Sequence, residues 1–553
     1  MKKSSFIEPV IAHARFVRKH GVRADGESPL LVDGLDLATL APPPPQEGYL
    51  SSNLACQQNF LRTLDALGTL TGDTSYHRQA DEWIHCALDK LRDPASGLLY
   101  WGGHASFDLL TDQPIWGHHE LKCAYPHYAY LYRVNPDTLR GFVEAFWHAH
   151  IWDWSTLLFN RHGRYVTWEK KWETGFSGGP LPIIENTALS FINTGSDLIV
   201  SGALLHALSG DEQPLRWAQH LLSRYDQVRH PTTGLGGYQF NYRDPCRVRQ
   251  SFTPPFDSRA DINEATVLKK GLIRTRYGQV AVAFLNVADA LGAAKGRPFV
   301  DFVAADLEAL ATHLYDRDAH CFHAALIDGE RLNPSHVTEG AGYCTPSDLE
   351  PLGADALMFL AYARAYQATQ KPLLLDMAKH LAAGLGWGDM SQPVDFAEVS
   401  ARHSVHKRGT GILPVNHGRD AHATMNLVES VGGGNILAMR NHAAPGPVAG
   451  GIGSDSGQRD VCALLGLLAL YRATEESVWL VSAESLGQHL LRHYTVGDFI
   501  VSATGKTTSN FDSALPLALL HLATAQQGHG EPLPAFYPNH TYFSPKGGAV
   551  AAG

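Results

Sequence analysis

Residues 52–97 read SNLACQQNFLRTLDALGTLTGDTSYHRQADEWIHCALDKLRDPASG, and they contain two helical patterns joined by a short polar turn. The first pattern covers about residues 52–70, and the second covers about residues 75–92. Gly72 and Asp73 lie between them, and small polar residues after an apolar periodic run mark the end of a helix. We therefore interpret this segment as a helical hairpin, followed by a turn and an extended aromatic link.

The same unit recurs along the chain. Further helices are predicted over about residues 192–209, 213–228, 277–293, 298–315, 351–368, 372–386, 457–473, 477–493 and 512–526. A single hairpin cannot bury its apolar face alone, and the irregular spacing of the copies argues against a solenoid of identical repeats. We predict an all-α protein, an (α/α) toroid or barrel of helical hairpins with short β-hairpin-like links. An irregular all-α fold is the alternative.

Three regions follow from this pattern. Residues 1–48 are predicted as an N-terminal helix and a Pro-rich linker, because the prolines at 42–45 cannot lie inside a helix. Residues 49–530 are predicted as the (α/α) barrel catalytic domain, and residues 531–553 as a C-terminal tail. Residues 402–425 are basic, rich in histidine and interrupted by helix breakers, so they are predicted as an inserted surface loop. A second metal site on those histidines is the alternative, although no carboxylate framework accompanies them.

The composition is that of a globular enzyme. Apolar residues make up 44% of the chain and charged residues 18%, which excludes a disordered chain. The net charge of −10 argues against non-specific nucleic-acid binding, which needs a basic footprint, but a local basic patch could still bind an anionic substrate. No stretch approaches the roughly 20 apolar residues that a membrane helix needs.

The compartment is predicted from the cysteines and from the first residues. The 7 cysteines are scattered and form no Cys-X-X-Cys motif, so reduced thiols are expected in place of a disulfide framework. The start of the chain has no apolar run of signal-peptide length. These features predict a soluble, cytoplasmic protein.

Residues 101–172 combine aromatic and histidine side chains at high density. Aromatic rings among charges suggest a sugar cleft, although tryptophans at helical spacing would equally fill a core. His104, Glu120 and His162 are candidate metal ligands, because two imidazoles and one carboxylate suit Mn, Fe, Co, Ni or Zn better than Ca. Any single histidine is more often a hydrogen-bonded structural residue, so the set is a hypothesis.

Basic residues accompany the candidate ligands. Arg161 immediately precedes His162, and a loop kinked at Gly163 would present both side chains to one cleft. Arg164 and Lys171 add local positive charge. A solvated surface is the alternative interpretation of these basic residues.

Three motifs follow one another in this region. They read Gly-Gly-His104, His-Glu120-Leu-Lys122 with Tyr125-Pro126, and Phe-Asn-Arg161-His162-Gly with Tyr165. Over about residues 50–200 the chain resembles family 2 polysaccharide lyases, the metal-dependent pectate lyases, which carry such motifs in this order. The resemblance implies an (α/α) barrel and a divalent transition metal (Mn, Co, Ni or similar) held by His104, Glu120 and His162. It also implies that Arg161 is the Brønsted base.

The chemistry implied by the resemblance is β-elimination on an oligo- or polyuronate of the pectate type, so the chain is expected to be a carbon–oxygen lyase of pectin degradation. In this reaction the metal binds the uronate carboxylate and acidifies the C5 proton, which Arg161 removes. A crowded positive environment would favour the neutral guanidine that such a base requires. The predicted substrate-binding residues are Trp101, Lys122, Arg164, Lys171, Arg274 and Tyr277.

Two other functions stay open at this point. A toroid glycoside hydrolase or sugar epimerase would act on a glycan without metal, through paired carboxylates or histidines. Asp108, Glu120, Asp153 and Glu185 are available for this role. A non-catalytic glycan-binding protein would explain the aromatic residues, but it offers no purpose for the Asn-Arg-His-Gly motif.

Overall fold

A computed structural model describes residues 6–22, 28–43, 48–115, 117–169, 172, 175–177, 183–338, 343–400, 457–504, 506–528 and 532–539. The first helices are α1 (Ile7–His20), α2 (Gln58–Thr71), α3 (Ser75–Lys90), α4 (Tyr128–Val134), α5 (Pro136–His150), α6 (Ile192–Ser209), α7 (Glu212–Gln227) and α8 (Pro245–Arg249). They are followed by α9 (Lys270–Ile273), α10 (Ala281–His313), α11 (Ala356–Thr369), α12 (Pro372–Gly384), α13 (Gly457–Thr474), α14 (Ser477–Tyr494) and α15 (Leu515–Gln526). A π-helical segment (Arg274–Val280) joins α9 to α10.

The helices form two concentric layers, which confirms the predicted (α/α) toroid. Within the described residues the inner ring consists of α2, α4, α6, the first half of α10, α11, α13 and α15, and α15 packs back on α2. Between α2 and α4, the Gln58 side-chain oxygen accepts a hydrogen bond from the His127 backbone N–H at 2.7 Å. Inner helices are buried on nearly all sides, as in α11, where every residue from Ala356 to Ala363 is buried.

The outer layer consists of α1, α3, α5, α7, the second half of α10, α12 and α14, each beside an inner helix. Outer helices bury one face only, and α7 is an example with its buried Leu215, Trp217 and Leu221. The backbone of Gly292 is non-helical (φ 73°, ψ 173°) and divides α10 into its inner and outer halves. This break lies slightly before the gap between the two helices predicted over about residues 277–293 and 298–315.

Short strands occupy the links between helices. They are β1 (Leu35–Asp36), β2 (Ser51–Ser52), β3 (Ser106–Asp108), β4 (Gln113–Ile115), β5 (Ile151–Asp153), β6 (Leu158–Phe159), β7 (Ile184–Glu185) and β8 (Asn241–Tyr242). The others are β9 (Val267–Leu268), β10 (Tyr315–Asp316), β11 (Cys321–Phe322), β12 (Ala325–Leu326), β13 (Leu352–Gly353), β14 (Thr495–Val496), β15 (Phe499–Ile500) and β16 (Thr508–Ser509). The antiparallel pairs β5–β6, β10–β11 and β14–β15 directly follow outer helices, as the predicted hairpin-like links require. Strand β7 pairs with β8 in parallel.

Segments on either side of the predicted barrel domain, residues 49–530, pack against it. Helix α1 packs on α15 and α2, and His13 accepts a hydrogen bond from the Ile500 backbone N–H at 3.1 Å. Residues 532–539 also lie against the ring, because the Phe536 carbonyl accepts a hydrogen bond from the Asn286 side chain at 2.7 Å. Both segments therefore belong to the packed unit. The predicted inserted loop, 402–425, lies outside the described residues.

Two further features concern the whole chain. All 7 cysteines are free, and Cys56, Cys123, Cys321, Cys344 and Cys462 are buried. Among the described helices, none combines the length and the apolar character needed to cross a membrane.

Candidate functional site

Three side chains from two links between helices converge on one point. The Nε2 atom of His104 lies 3.2 Å from Oε2 of Glu120, and the Nε2 atom of His162 lies 3.8 Å from Oε1 of the same carboxylate. One donor atom of each residue lies within 4.8 Å of the other two. The structure therefore brings together the three predicted ligands, which the sequence separates widely.

The first motif holds Glu120 through its backbone. Gly103 donates its N–H to the Glu120 carbonyl at 2.8 Å, and Gly102 pairs with Glu120 in a short parallel bridge. A Cβ atom on Gly102 would lie 2.2 Å from that carbonyl oxygen, and the φ of Gly102 is +98°. Both observations require glycine at this position. The Gly-Gly-His motif thus places His104 beside the strand-like segment that carries Glu120.

The third motif is held by the residue before Glu120. The backbones of His119 and Gly163 exchange two hydrogen bonds, of 3.0 Å and 2.8 Å. A Cβ atom on Gly163 would lie 2.5 Å from Nε2 of His150, so this position also requires glycine. The pairing fixes the Asn-Arg-His-Gly segment against Glu120.

The carboxylate of Glu120 is fully buried among cations. Burial alone would raise its pKa, but the nearby imidazole of His104 and the charges of Lys122 and Arg161 outweigh burial and hold the pKa well below its ordinary value. Lys122 Nζ lies 3.6 Å from Oε2, and Arg161 Nε lies 3.5 Å from Oε1. Neither oxygen has a well-directed hydrogen-bond donor among the described residues. A buried, ionised carboxylate in this state fits a metal ligand, because buried polar atoms normally have a partner.

His162 is suited to the same role. Burial lowers the pKa of His162 to about 3, so its ring is neutral and keeps a lone pair for a metal. In the structure its Nε2 accepts a hydrogen bond from Arg161 Nε at 3.1 Å. The ring of His118 stacks on His162 with a centroid distance of 5.3 Å. His118 and Glu120 therefore face the same side of the extended segment, whereas the intervening His119 points into the core.

Arg161 lies directly beside the three candidate ligands. Its backbone N–H donates to the Leu189 carbonyl at 3.1 Å, and its guanidinium lies over the ring of Phe191 at 5.3 Å. The side chain is 17% exposed, so it is confined yet reachable from solvent. Such a group is placed to act on a molecule that binds at the ligand cluster.

Four of the predicted substrate-binding residues carry a positive charge. Lys122 belongs to the site, and Arg164 is exposed within electrostatic range of His118. Lys171 lies outside the described residues. Arg274 forms an ion pair with Asp355 at 3.1 Å.

Trp101 and Tyr277, two of the predicted substrate-binding residues, are enclosed in the interior. Both side chains are 0% exposed, so neither ring has a free face. The indole N–H of Trp101 donates to His119 Nε2 at 3.2 Å. The Tyr277 hydroxyl donates to the Gly236 carbonyl at 3.0 Å. These two residues stabilise the interior.

The carboxylates considered for a metal-free hydrolase have other partners. Asp108 accepts hydrogen bonds from the turn at Thr111, and Asp153 does the same for the turn at Ser155. Glu185 is an exposed residue of β7. None of these three carboxylates therefore forms a hydrogen-bonded acid–base pair with Glu120.

Sequence comparison agrees with the motifs. Residues 28–446 and 447–546 match the sequence model of a family described as periplasmic pectate lyase. The chain belongs to this family. The family's description as periplasmic overturns the prediction of a cytoplasmic protein. That prediction rested on the absence of an apolar leader-like run, and such an absence does not determine a compartment.

A curated relative supports the family assignment. The chain is 33% identical over 297 residues to the pectate disaccharide-lyase of Dickeya dadantii (strain 3937). The match covers 48% of this chain and 54% of the relative, so the chain spans about half the length of that protein.

Solved structures show similarity at low identity. The chain is similar to a cellobiose 2-epimerase of Bacillus thermoamylovorans with 14% identity, covering 69% of this chain and 86% of that one, at a TM-score of 0.42. It is also similar to a family 76 glycoside hydrolase of Bacteroides thetaiotaomicron with 10% identity, covering 95% and 78%, at a TM-score of 0.43. Neither likeness bears on the function.

Proposed function

We propose that the chain is a lyase that cleaves a polyuronate, of the polygalacturonate type, by metal-assisted β-elimination. The observation that carries this proposal is the position of Arg161. It lies 3.5 Å from the buried Glu120 carboxylate, whose oxygens lack well-directed donors among the described residues. Family membership supports the same conclusion.

His104, Glu120 and His162 fit a divalent transition metal such as Mn, Co or Ni. Two imidazoles and one carboxylate leave further coordination positions for substrate and water. When bound, the metal would polarise the uronate carboxylate and acidify the neighbouring C5–H bond. Lys122, 3.6 Å from Glu120, supplies a second positive charge for the same substrate carboxylate.

Arg161 performs the proton transfer in this proposal. A guanidine nitrogen accepts the C5 proton, the C5–H electron pair forms the C4–C5 double bond, and the bond from C4 to the glycosidic oxygen breaks. The departing oxygen takes a proton from solvent. The base must be neutral to accept this proton. Arg164, exposed at the rim near His118, provides a contact for a neighbouring uronate.

The test is formation of an unsaturated uronide from polygalacturonate, followed by its ultraviolet absorbance. We expect product with Mn-loaded protein and none after chelation, with recovery when Mn is returned. Arg161→Ala should abolish turnover while leaving the affinity for Mn unchanged. Arg297→Ala is the matched control, because this arginine lies on an outer helix and is 73% exposed. If the Mn-loaded protein forms no unsaturated product from any polyuronate, the proposal is wrong.

A further inference from the structure

A chain of hydrogen bonds runs through the core directly beneath the ligand cluster. Trp101 Nε1 lies 3.2 Å from His119 Nε2, and His119 Nδ1 lies 3.0 Å from His150 Nε2. His150 Nδ1 then lies 2.8 Å from the carbonyl oxygen of Asn160. Both imidazoles are 0% exposed, so no solvent competes with these contacts.

The two ends of this chain fix the direction of every hydrogen bond. An indole N–H only donates, so His119 Nε2 accepts and its proton lies on Nδ1. That proton is donated to His150 Nε2, which places the His150 proton on Nδ1 as well. A carbonyl oxygen only accepts, and Asn160 supplies one at the far end. One arrangement of two neutral imidazoles therefore satisfies all the groups.

Each histidine is tied to a different part of the site. His119 precedes Glu120, and its backbone pairs with Gly163. The His150 ring packs against the Cα of Gly163 so closely that no Cβ fits there, and it binds the carbonyl of Asn160. The two rings therefore span from the strand of Glu120 to the segment that carries Arg161 and His162.

We propose that His119 and His150 are positioning residues, whose fixed hydrogen-bond chain sets the distance between Glu120 and the segment of Arg161 and His162. The inference rests on the proposed metal-dependent function. Two apolar side chains of equal volume could not take this role, because only a hydrogen-bond donor can hold the Asn160 carbonyl in place. Residues that orient metal ligands in this way typically change metal affinity or activity by about 10- to 100-fold when replaced.

Each variant removes a different part of the hydrogen-bond chain. His150→Phe keeps the ring volume and removes both hydrogen bonds. His150→Asn places an amide nitrogen near the position of Nδ1, so it keeps the contact to Asn160 and loses the one to His119. Trp101→Phe removes only the terminal donor. His13→Phe is the matched control, because His13 is also a 0% exposed histidine with a backbone hydrogen bond, but it lies on α1.

The measurement is the titration of each metal-free variant with Co(II), followed by its visible absorption, whose bands report ligand geometry. A thermal melt of each variant shows whether it is folded. We expect His150→Phe to weaken Co(II) binding at least tenfold and to shift the bands. His150→Asn should give a smaller change in the same direction, and His13→Phe should match the wild-type protein. On polygalacturonate, kcat should fall more than KM rises.

Two results would overturn the proposal in distinguishable ways. A folded His150→Phe variant with wild-type Co(II) affinity and spectrum would show that the histidine pair is structural only. If His150→Phe does not fold, wild-type spectra in both His150→Asn and Trp101→Phe would lead to the same conclusion. Absence of Co(II) binding in the wild-type protein would instead overturn the metal centre, and this inference with it.

Discussion

The substitution Gly163→Ala tests how tightly the site depends on its backbone. The added Cβ would lie 2.5 Å from Nε2 and 2.7 Å from Cδ2 of His150. Favourable contacts between such atoms begin at about 3.5 Å, so the ring or the segment must move by about 1 Å. The His150 ring is hydrogen-bonded at both nitrogens and packs edge-on against Phe146, with 4.9 Å between the ring centroids. Because the ring is fixed in this way, the segment that carries Arg161 has to move.

Two effects of different size follow from this displacement. Overpacking of a well-filled core typically costs about 1–3 kcal/mol, which this large barrel should tolerate while remaining folded. Displacing catalytic groups by about 1 Å typically costs about 100-fold in rate. We therefore expect Gly163→Ala to lower kcat about 100-fold with a modest decrease in melting temperature.

The assay is unsaturated-uronide formation by metal-saturated protein, combined with a thermal melt. Gly175→Ala is the matched control, because a Cβ on Gly175 meets nothing within 4 Å and its φ is not positive. This control should retain wild-type kcat. A folded Gly163→Ala variant with wild-type kcat would refute the reasoning, since it would show that the site absorbs the displacement without loss.

Two further predictions concern charge. Glu120→Gln preserves shape but removes the anionic ligand, so the affinity for Mn, measured by titration calorimetry, should fall at least tenfold; unchanged affinity would contradict the ligand assignment. Burial lowers the pKa of His13 to about 3, so below pH 6.5 the unfolded chain binds a proton that the folded chain does not. The free energy of unfolding should therefore decrease as the pH falls, by about 3 kcal/mol at pH 4 from this residue alone. His13→Asn, which can still accept a hydrogen bond from the Ile500 N–H, should flatten the pH dependence of the melting temperature between pH 6.5 and 4. An unchanged slope would contradict the assignment of this pH dependence to His13.

The helical architecture could be predicted because its signals are local. Inner helices such as α6 (Ile192–Ser209) appear as apolar runs that end at small polar turns, and the predicted bounds of this helix match the structure. The apolar periodicity did not predict the hairpin of α4 and α5. Its tyrosines, histidines and tryptophans suggested a cleft, whereas in the structure residues such as Phe142 and Trp147 are core side chains.

The candidate ligands could be named from residue chemistry, but the backbone contacts that bring them together could not be predicted. Two imidazoles and a carboxylate point to a metal wherever they converge. Their convergence depends on a backbone pair within one link, Gly102 with Glu120, and on another between two links, His119 with Gly163. A single sequence carries no signal for either pair. The burial of Trp101 could not be predicted for the same reason, because exposure depends on tertiary packing and not on a residue's neighbours in the chain.

The charge around Glu120 bears on substrate binding under the proposed function. One carboxylate faces Lys122 and Arg161, so the site carries a surplus of positive charge even before a divalent ion is added, in a chain whose net charge is −10. A cleft of this sign concentrates a polyanion that the rest of the surface would repel. Under the proposed function, the basic side chains beside Glu120 thus also attract the substrate.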